Sequence, residues 1–231
     1  MKFGAKKPVS GIENNMILSP RQKDFLRFFA GSELSEIFRL SGGTALSAFY
    51  LEHRVSDNLS FFSFKKVPFY MIGSFLNSLE FVDKVHLARM YEKNIFTIRL
   101  NDGSILRAEF TYYPLKNIES TNILDALQID SFNDIVANKL CAIADRNDAK
   151  DYADVYCAVK DQPDILLELL VFTEKKCEVG GIRDILRSRL LQVPEGVEKL
   201  SMKIEVNSLE LEEFFTTFVR KNVKKIVESR V

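Results

Sequence analysis

Ser41-Gly42-Gly43-Thr44-Ala45-Leu46, followed within a dozen residues by His53-Arg54-Val55-Ser56-Asp57-Asn58-Leu59-Ser60-Phe61-Phe62, is the stretch that decides the fold. The apolar run 37–40 ends at the glycine pair and 44–52 has helical composition, so the reading is strand, glycine turn, helix. A glycine pair in that place lets backbone N–H groups approach an anion closely, and the start of the helix adds positive potential. The Thr44 hydroxyl is a further donor to the same anion. A tight turn with a helix cap is the alternative reading of these residues. A second strand is expected at 59–64.

Outward from this core, Ser19-Pro20-Arg21-Gln22 combines a serine cap, a proline at the first helical position and a glutamine three residues after the cap, which predicts a helix to about residue 29 with Phe25, Phe28 and Phe29 facing a core. A helix at 68–79 and strands at 85–91, 95–100 and 105–110 follow. Asn101-Asp102-Gly103-Ser104 between the last two is a hairpin turn, because its centre needs positive φ. From Asp130 the strand patterns stop. Ser131 and Asp134 open a helix to about residue 145, Tyr152, Val155, Tyr156 and Val159 mark a second, Pro163 opens a third, and Gly180-Gly181 breaks the chain before the next. The final helix starts near Ser208 and carries Leu211, Phe214, Phe215, Phe218 and Val219 as a core stripe.

Gly42, Gly43, Thr44, Leu46, His53, Arg54, Ser56, Phe61 and Phe62 match the GGTxLxxxxxxHRxSxDxDFF signature in register, and the stretch resembles the AbiEii/AbiGii-type nucleotidyltransferase toxins, associated with abortive infection and type IV toxin–antitoxin systems. The resemblance implies an α/β (α+β) nucleotidyltransferase-type domain with a small mixed sheet over residues 1–128, then an all-helical C-terminal domain over 129–231. It implies that Gly42, Gly43, Thr44, Arg54 and Ser56 contact the phosphates of an NTP. Two aspartates one residue apart then hold Mg²⁺, which polarises the phosphates for in-line displacement. Those two positions are Asn58 and Ser60 here, each keeping an oxygen and losing the charge that Mg²⁺ favours. Asp57 stands one position early and serves as a metal ligand only where the strand is bulged or has not begun, since a one-residue shift turns a side chain to the other face. Glu109 matches the third carboxylate the resemblance expects; a solvent face bearing Arg107 and Glu109, opposite Leu106, Ala108 and Phe110, is the alternative.

A second segment supports the same resemblance: Asp134-Ile135-Val136-Ala137-Asn138-Lys139-Leu140, then Ala142, Arg146, Lys150-Asp151 and Asp154. It implies that Lys139 and Arg146 bind the nucleotide and that Lys139, Asp151 and Glu109 are active-site groups. Read from the residues alone, Lys139 interrupts the apolar stripe of Phe132, Ile135, Val136, Leu140 and Ile143, where a charge either snorkels to solvent or faces an anion. Lys150 and Asp154 read as an i,i+4 ion pair.

Composition narrows the rest. The 231 residues are 46% hydrophobic and 28% charged, which excludes a disordered chain, and 32 basic against 32 acidic residues exclude a strongly basic nucleic-acid footprint. Two histidines, His53 and His86, leave little for zinc sites or His-centred triads. Cys141, Cys157 and Cys177 are odd in number and widely spaced, so they are expected as buried free thiols. The longest uncharged stretch, 67–79, is too short for a membrane helix, and no apolar region follows the basic residues at the start, so a cytoplasmic protein without membrane contact is expected. The expected function is transfer of a nucleoside monophosphate from NTP to an RNA, such as tRNA, or to a protein, with an antitoxin partner. The alternative is a weakened relative that binds nucleotide or a partner without transfer.

Overall fold

The structure, a computed structural model, describes residues 6–228; the first five residues of the stretch read above for a secretory signal lie outside them. The chain divides into two compact units, the first ending at Phe132 and the second beginning at Asn133.

The first unit is built on a seven-stranded mixed sheet in the order β3-β4-β5-β2-β1-β7-β6. Helix α1 (Pro20–Ala30) opens as the cap predicts: Gln22 N–H donates to Ser19 Oγ and Ser19 N–H to Gln22 Oε1. Strand β1 (Arg39–Ser41) runs directly into α2 (Gly42–Leu46), which continues as a wider π-turn over Ser47–Leu51 and ends at Glu52 in the left-handed region. Strand β2 (Asn58–Ser63) pairs antiparallel with β1 and parallel with β5 (Ile105–Tyr112). After α3 (Phe69–Asn77), β3 (Val82–Met90), β4 (Lys93–Leu100) and β5 form an antiparallel meander. Its second turn holds Gly103 at φ +81°, as the Asn-Asp-Gly-Ser sequence requires. Two three-residue strands, β6 (Asn122–Leu124) and β7 (Leu127–Ile129), complete the sheet, with β7 parallel to β1.

One face of the sheet is phenylalanine-rich. Leu59 and Phe61 of β2 are fully buried, and Phe29 of α1 packs on Phe61 at 4.3 Å between ring centroids, with Phe110 of β5 stacked on Phe61 at 4.9 Å. Phe28 departs from the expected core face: it is 56% exposed and touches the Phe81 ring, because Phe25 and Phe29 alone turn to the sheet. Alternation then places Asn58 and Ser60 of β2 on the opposite face, together with Arg107 and Glu109 of β5.

The second unit holds helices α4 (Phe132–Asp145, whose first residue closes the first unit), α5 (Ala149–Val159), α6 (Ile165–Cys177), α7 (Ile182–Leu190) and α8 (Ser208–Glu228). Helix α8 buries Leu211, Phe215, Phe218 and Val219, with Phe215 edge-on to Tyr152 of α5. The expectation of three free thiols is corrected: Cys141 of α4 and Cys177 of α6 are joined by a disulfide, with Cα atoms 6.8 Å apart, while Cys157 is buried and takes no part in a disulfide. Their separation of 36 residues hides a contact that exists because the two helices meet, as they do again at the buried ion pair of Asp134 with Lys176.

Candidate functional site

The glycine turn is closely packed on its side-chain side. Gly42 has φ +72°, and a Cβ added to it would stand 3.2 Å from Ser60 Cβ and 3.3 Å from Ser60 Oγ. A Cβ on Gly43 would land on the Arg54 guanidinium, with Ser56 Oγ 3.5 Å away. The π-turn and left-handed Glu52 cause this proximity: they end the helix abruptly and send residues 53–58 back past its first turn. The return is fastened by Ser47, whose hydroxyl donates to the Arg54 carbonyl and accepts from the Arg54 N–H, and by Gln22, whose side-chain amide donates to the Ser56 carbonyl at 2.7 Å.

Thr44 is part of that fastening. Its hydroxyl lies 2.6 Å from the Asn58 carbonyl and 2.8 Å from Ser56 Oγ, and the residue is 1% exposed. The structure therefore uses Thr44 to hold the entry to β2. His53 and Arg54 are buried, with Arg54 Nη1 donating to the Val55 carbonyl at 3.1 Å.

The register brings three of the singled-out positions into one row. Ser41 of β1 lies opposite Ser60 of β2, and Ser60 lies beside Glu109 of β5; one step along, Asn58 lies beside Arg107. Glu109 is half-buried and Arg107 exposed. Asp57 is exposed and precedes the first residue of β2, so it is not committed to either face of the strand. Among the described residues no three His, Cys, Asp or Glu side chains are grouped as metal ligands. Within the row itself Glu109, beside a serine hydroxyl, supplies one negative charge, fewer than a pair of Mg²⁺ ions takes from its carboxylates.

In the second unit Lys139, Arg146, Asp151 and Asp154 form one cluster. The Lys139 ammonium sits 2.8 Å from Asp151 Oδ1 and 2.7 Å from Asp154 Oδ2, and Arg146 Nε is 2.9 Å from Asp151 Oδ2. Both aspartates are fully buried and Lys139 is 7% exposed, so the lysine does not snorkel to solvent. The expected Lys150–Asp154 pair is corrected. Lys150 bonds Asp148 at 2.9 Å, because Asp154 is turned inward to Lys139. Lys139, Asp151 and Asp154 are buried, while the Arg146 side chain is 45% exposed and brings the second cation in from the surface, so the two aspartates meet two opposite charges.

Sequence reasoning passed over Arg39 and Asp130, a buried pair 2.7 Å apart that ties β1 to the end of β7, with Asn117 also donating to Asp130 at 2.6 Å. A charged residue inside the strand leading to the glycine turn was the available signal.

Compared with known proteins, residues 24–225 match the profile of the family described as nucleotidyl transferase AbiEii toxin, type IV TA system. An uncharacterized protein of Aquifex aeolicus (strain VF5) is 32% identical over 214 residues, covering 92% of this chain and 98% of its own. The crystal structure of JHP933 from Helicobacter pylori has the same fold, with a TM-score of 0.57 at 21% identity over 90% of this chain and 96% of that one.

Proposed function

Because the chain belongs to the AbiEii nucleotidyl transferase toxin family, we propose that it is a toxin-type relative that binds an NTP at the Gly42–Gly43 turn and has lost most of its capacity to transfer the nucleoside monophosphate. On this reading the backbone N–H groups of Gly42 and Gly43 bond the phosphate oxygens, the Arg54 guanidinium packed against Gly43 adds charge, and Ser56 adds a hydroxyl. Thr44 holds this geometry without touching ligand, and Lys139 and Asp151, neutralised by each other and by Asp154 and Arg146, act as positioning residues of the helical unit. That unit is a domain of its own in this proposal, and the protein works in the cytoplasm with an antitoxin as partner.

The observation that carries the proposal is the row of Ser41, Ser60 and Glu109, where one carboxylate remains beside hydroxyls. Glu109 itself favours a second reading, in which residual transfer to an RNA such as tRNA or to a protein persists. The test is calorimetric titration with each of the four NTPs in EDTA and in Mg²⁺, followed by transfer assays from labelled NTP to total RNA and to cell protein. Expected are NTP binding without Mg²⁺ and little transfer. The variant Asn58→Asp/Ser60→Asp should raise Mg²⁺-dependent transfer by two or more orders of magnitude, the scale of about 3 kcal/mol of transition-state stabilisation. Vigorous transfer by the unaltered protein would establish the second reading, and absence of NTP binding would overturn both.

A further inference from the structure

Cys177 is the last residue of α6, and the chain leaves it through Glu178 in the left-handed region and the exposed Val179 and Gly180 before α7 begins at Ile182. Cys177 itself is buried, so its disulfide to Cys141 of α4 anchors the end of the helix just before the chain turns out to solvent. Cys141 is half-buried, which makes it the more reachable of the two. Beside the bond, Lys176 pairs with Asp134 of α4, and both side chains are fully buried. Across the turn, Arg183 of α7 meets Glu174 of α6 at 2.9 Å.

The two kinds of tie between α4 and α6 differ in what they hold. A buried ion pair gains little over its two ions in water, because the attraction is offset by desolvation, so returning Lys176 and Asp134 together to solvent is nearly balanced. The covalent bond forbids that separation outright. With the bond open, the end of α6 is free to leave, while Leu166, Leu169 and Leu170 keep the rest of the helix buried. We propose that Cys141–Cys177 is a reversible thiol–disulfide switch that sets whether the end of α6 and the turn after it stay docked on α4. In the opening step a thiolate of the reductant attacks Cys141 Sγ, forms a mixed disulfide and releases Cys177 as a thiolate, which takes up a proton. A second thiol of the reductant then displaces Cys141. The protein gains two electrons and two protons, and the reductant, a pair of small thiols or one dithiol, leaves as its own disulfide. The switch lies wholly within the second unit and does not depend on the nucleotide reading.

The test equilibrates the full chain in glutathione buffers stepped from wholly oxidised to wholly reduced, with excess dithiothreitol as the end point. Samples are then denatured, labelled with N-ethylmaleimide and read by mass spectrometry. With 3 cysteines and one disulfide, the chain should pass from one label to three within the glutathione range, and re-oxidation should return it to one. Hydrogen exchange should show the amides of Lys176, Cys177 and Glu178 exchanging about tenfold or more faster in the reduced chain, with Phe215 of α8 unchanged. Cys141→Ser should exchange at the fast rate in every buffer, and Cys157→Ser should switch as the unaltered chain does. One label in every glutathione buffer, with the bond opening in dithiothreitol alone, would show a fixed structural bond and overturn the proposal. So would three labels throughout, or exchange at 176–178 that is equal in both states or that quickens as much at Phe215.

Discussion

At Gly42 two constraints coincide: a backbone with φ +72° and a serine against the place where a Cβ would stand. Substitution by alanine pays for both, so Gly42→Ala should lower stability by about 1–3 kcal/mol, read by urea denaturation of the full chain. Gly103→Ala, at φ +81° with nothing near, is the control that carries the backbone cost alone and should lose less. The matched motif made these residues legible, because glycines, arginine and serine at fixed spacing are a one-dimensional signal. The contact of Arg54 with Gly43, and the fastening role of Thr44, were not legible. Both depend on the π-turn and on Glu52 adopting a left-handed conformation, and neither an alanine-to-leucine run nor a glutamate announces that.

Among the elements, α4 and α5 carry the heaviest electrostatic debt. Removing the ammonium in Lys139→Ala takes a close cation from two fully buried carboxylates, Asp151 and Asp154, and should cost about 3–5 kcal/mol by chemical denaturation. Adding Asp154→Asn should recover part of that loss, which a ligand-binding role for Lys139 alone would not produce. Helix α5 also carries Tyr152, whose hydroxyl lies 2.8 Å from both Asn147 Oδ1 and the Arg189 carbonyl. Burial pushes this phenol up to about 12. Its folded value is above the unfolded one, so the stabilisation is complete below about pH 10 and is lost as pH rises towards 12, on the order of 2 kcal/mol. Tyr152→Phe should flatten that part of the stability–pH curve. The long elements were readable from caps and periodicity, with ends shifted by one to three residues. Strands β6 and β7 were not, since three residues are too few for alternation to show, and β7 is defined by its partner β1.

For the molecule as a whole, each unit has its own interior, one of phenylalanines beneath a sheet and one of helices around α5 and α8. No helix among the described residues is long and apolar enough to cross a membrane. Truncation after Asn207 removes α8 and uncovers the Tyr152 and Tyr156 faces it covers. The shortened chain should bind a hydrophobic dye and elute as aggregate, and a folded monomer by light scattering would show α8 to be dispensable. Strand β1, three residues long, sits between β2 and β7, with Leu40 opposite Phe61 on one side and Ile129 on the other. The meander β3-β4-β5 closes through short connections and can form early, whereas β1 is locked only when the chain from the far end of the unit returns to it. Translation must therefore pass Ile129 before the glycine turn is braced on both sides, and a ribosome stalled earlier releases a chain whose β1 has lost one of its two neighbours.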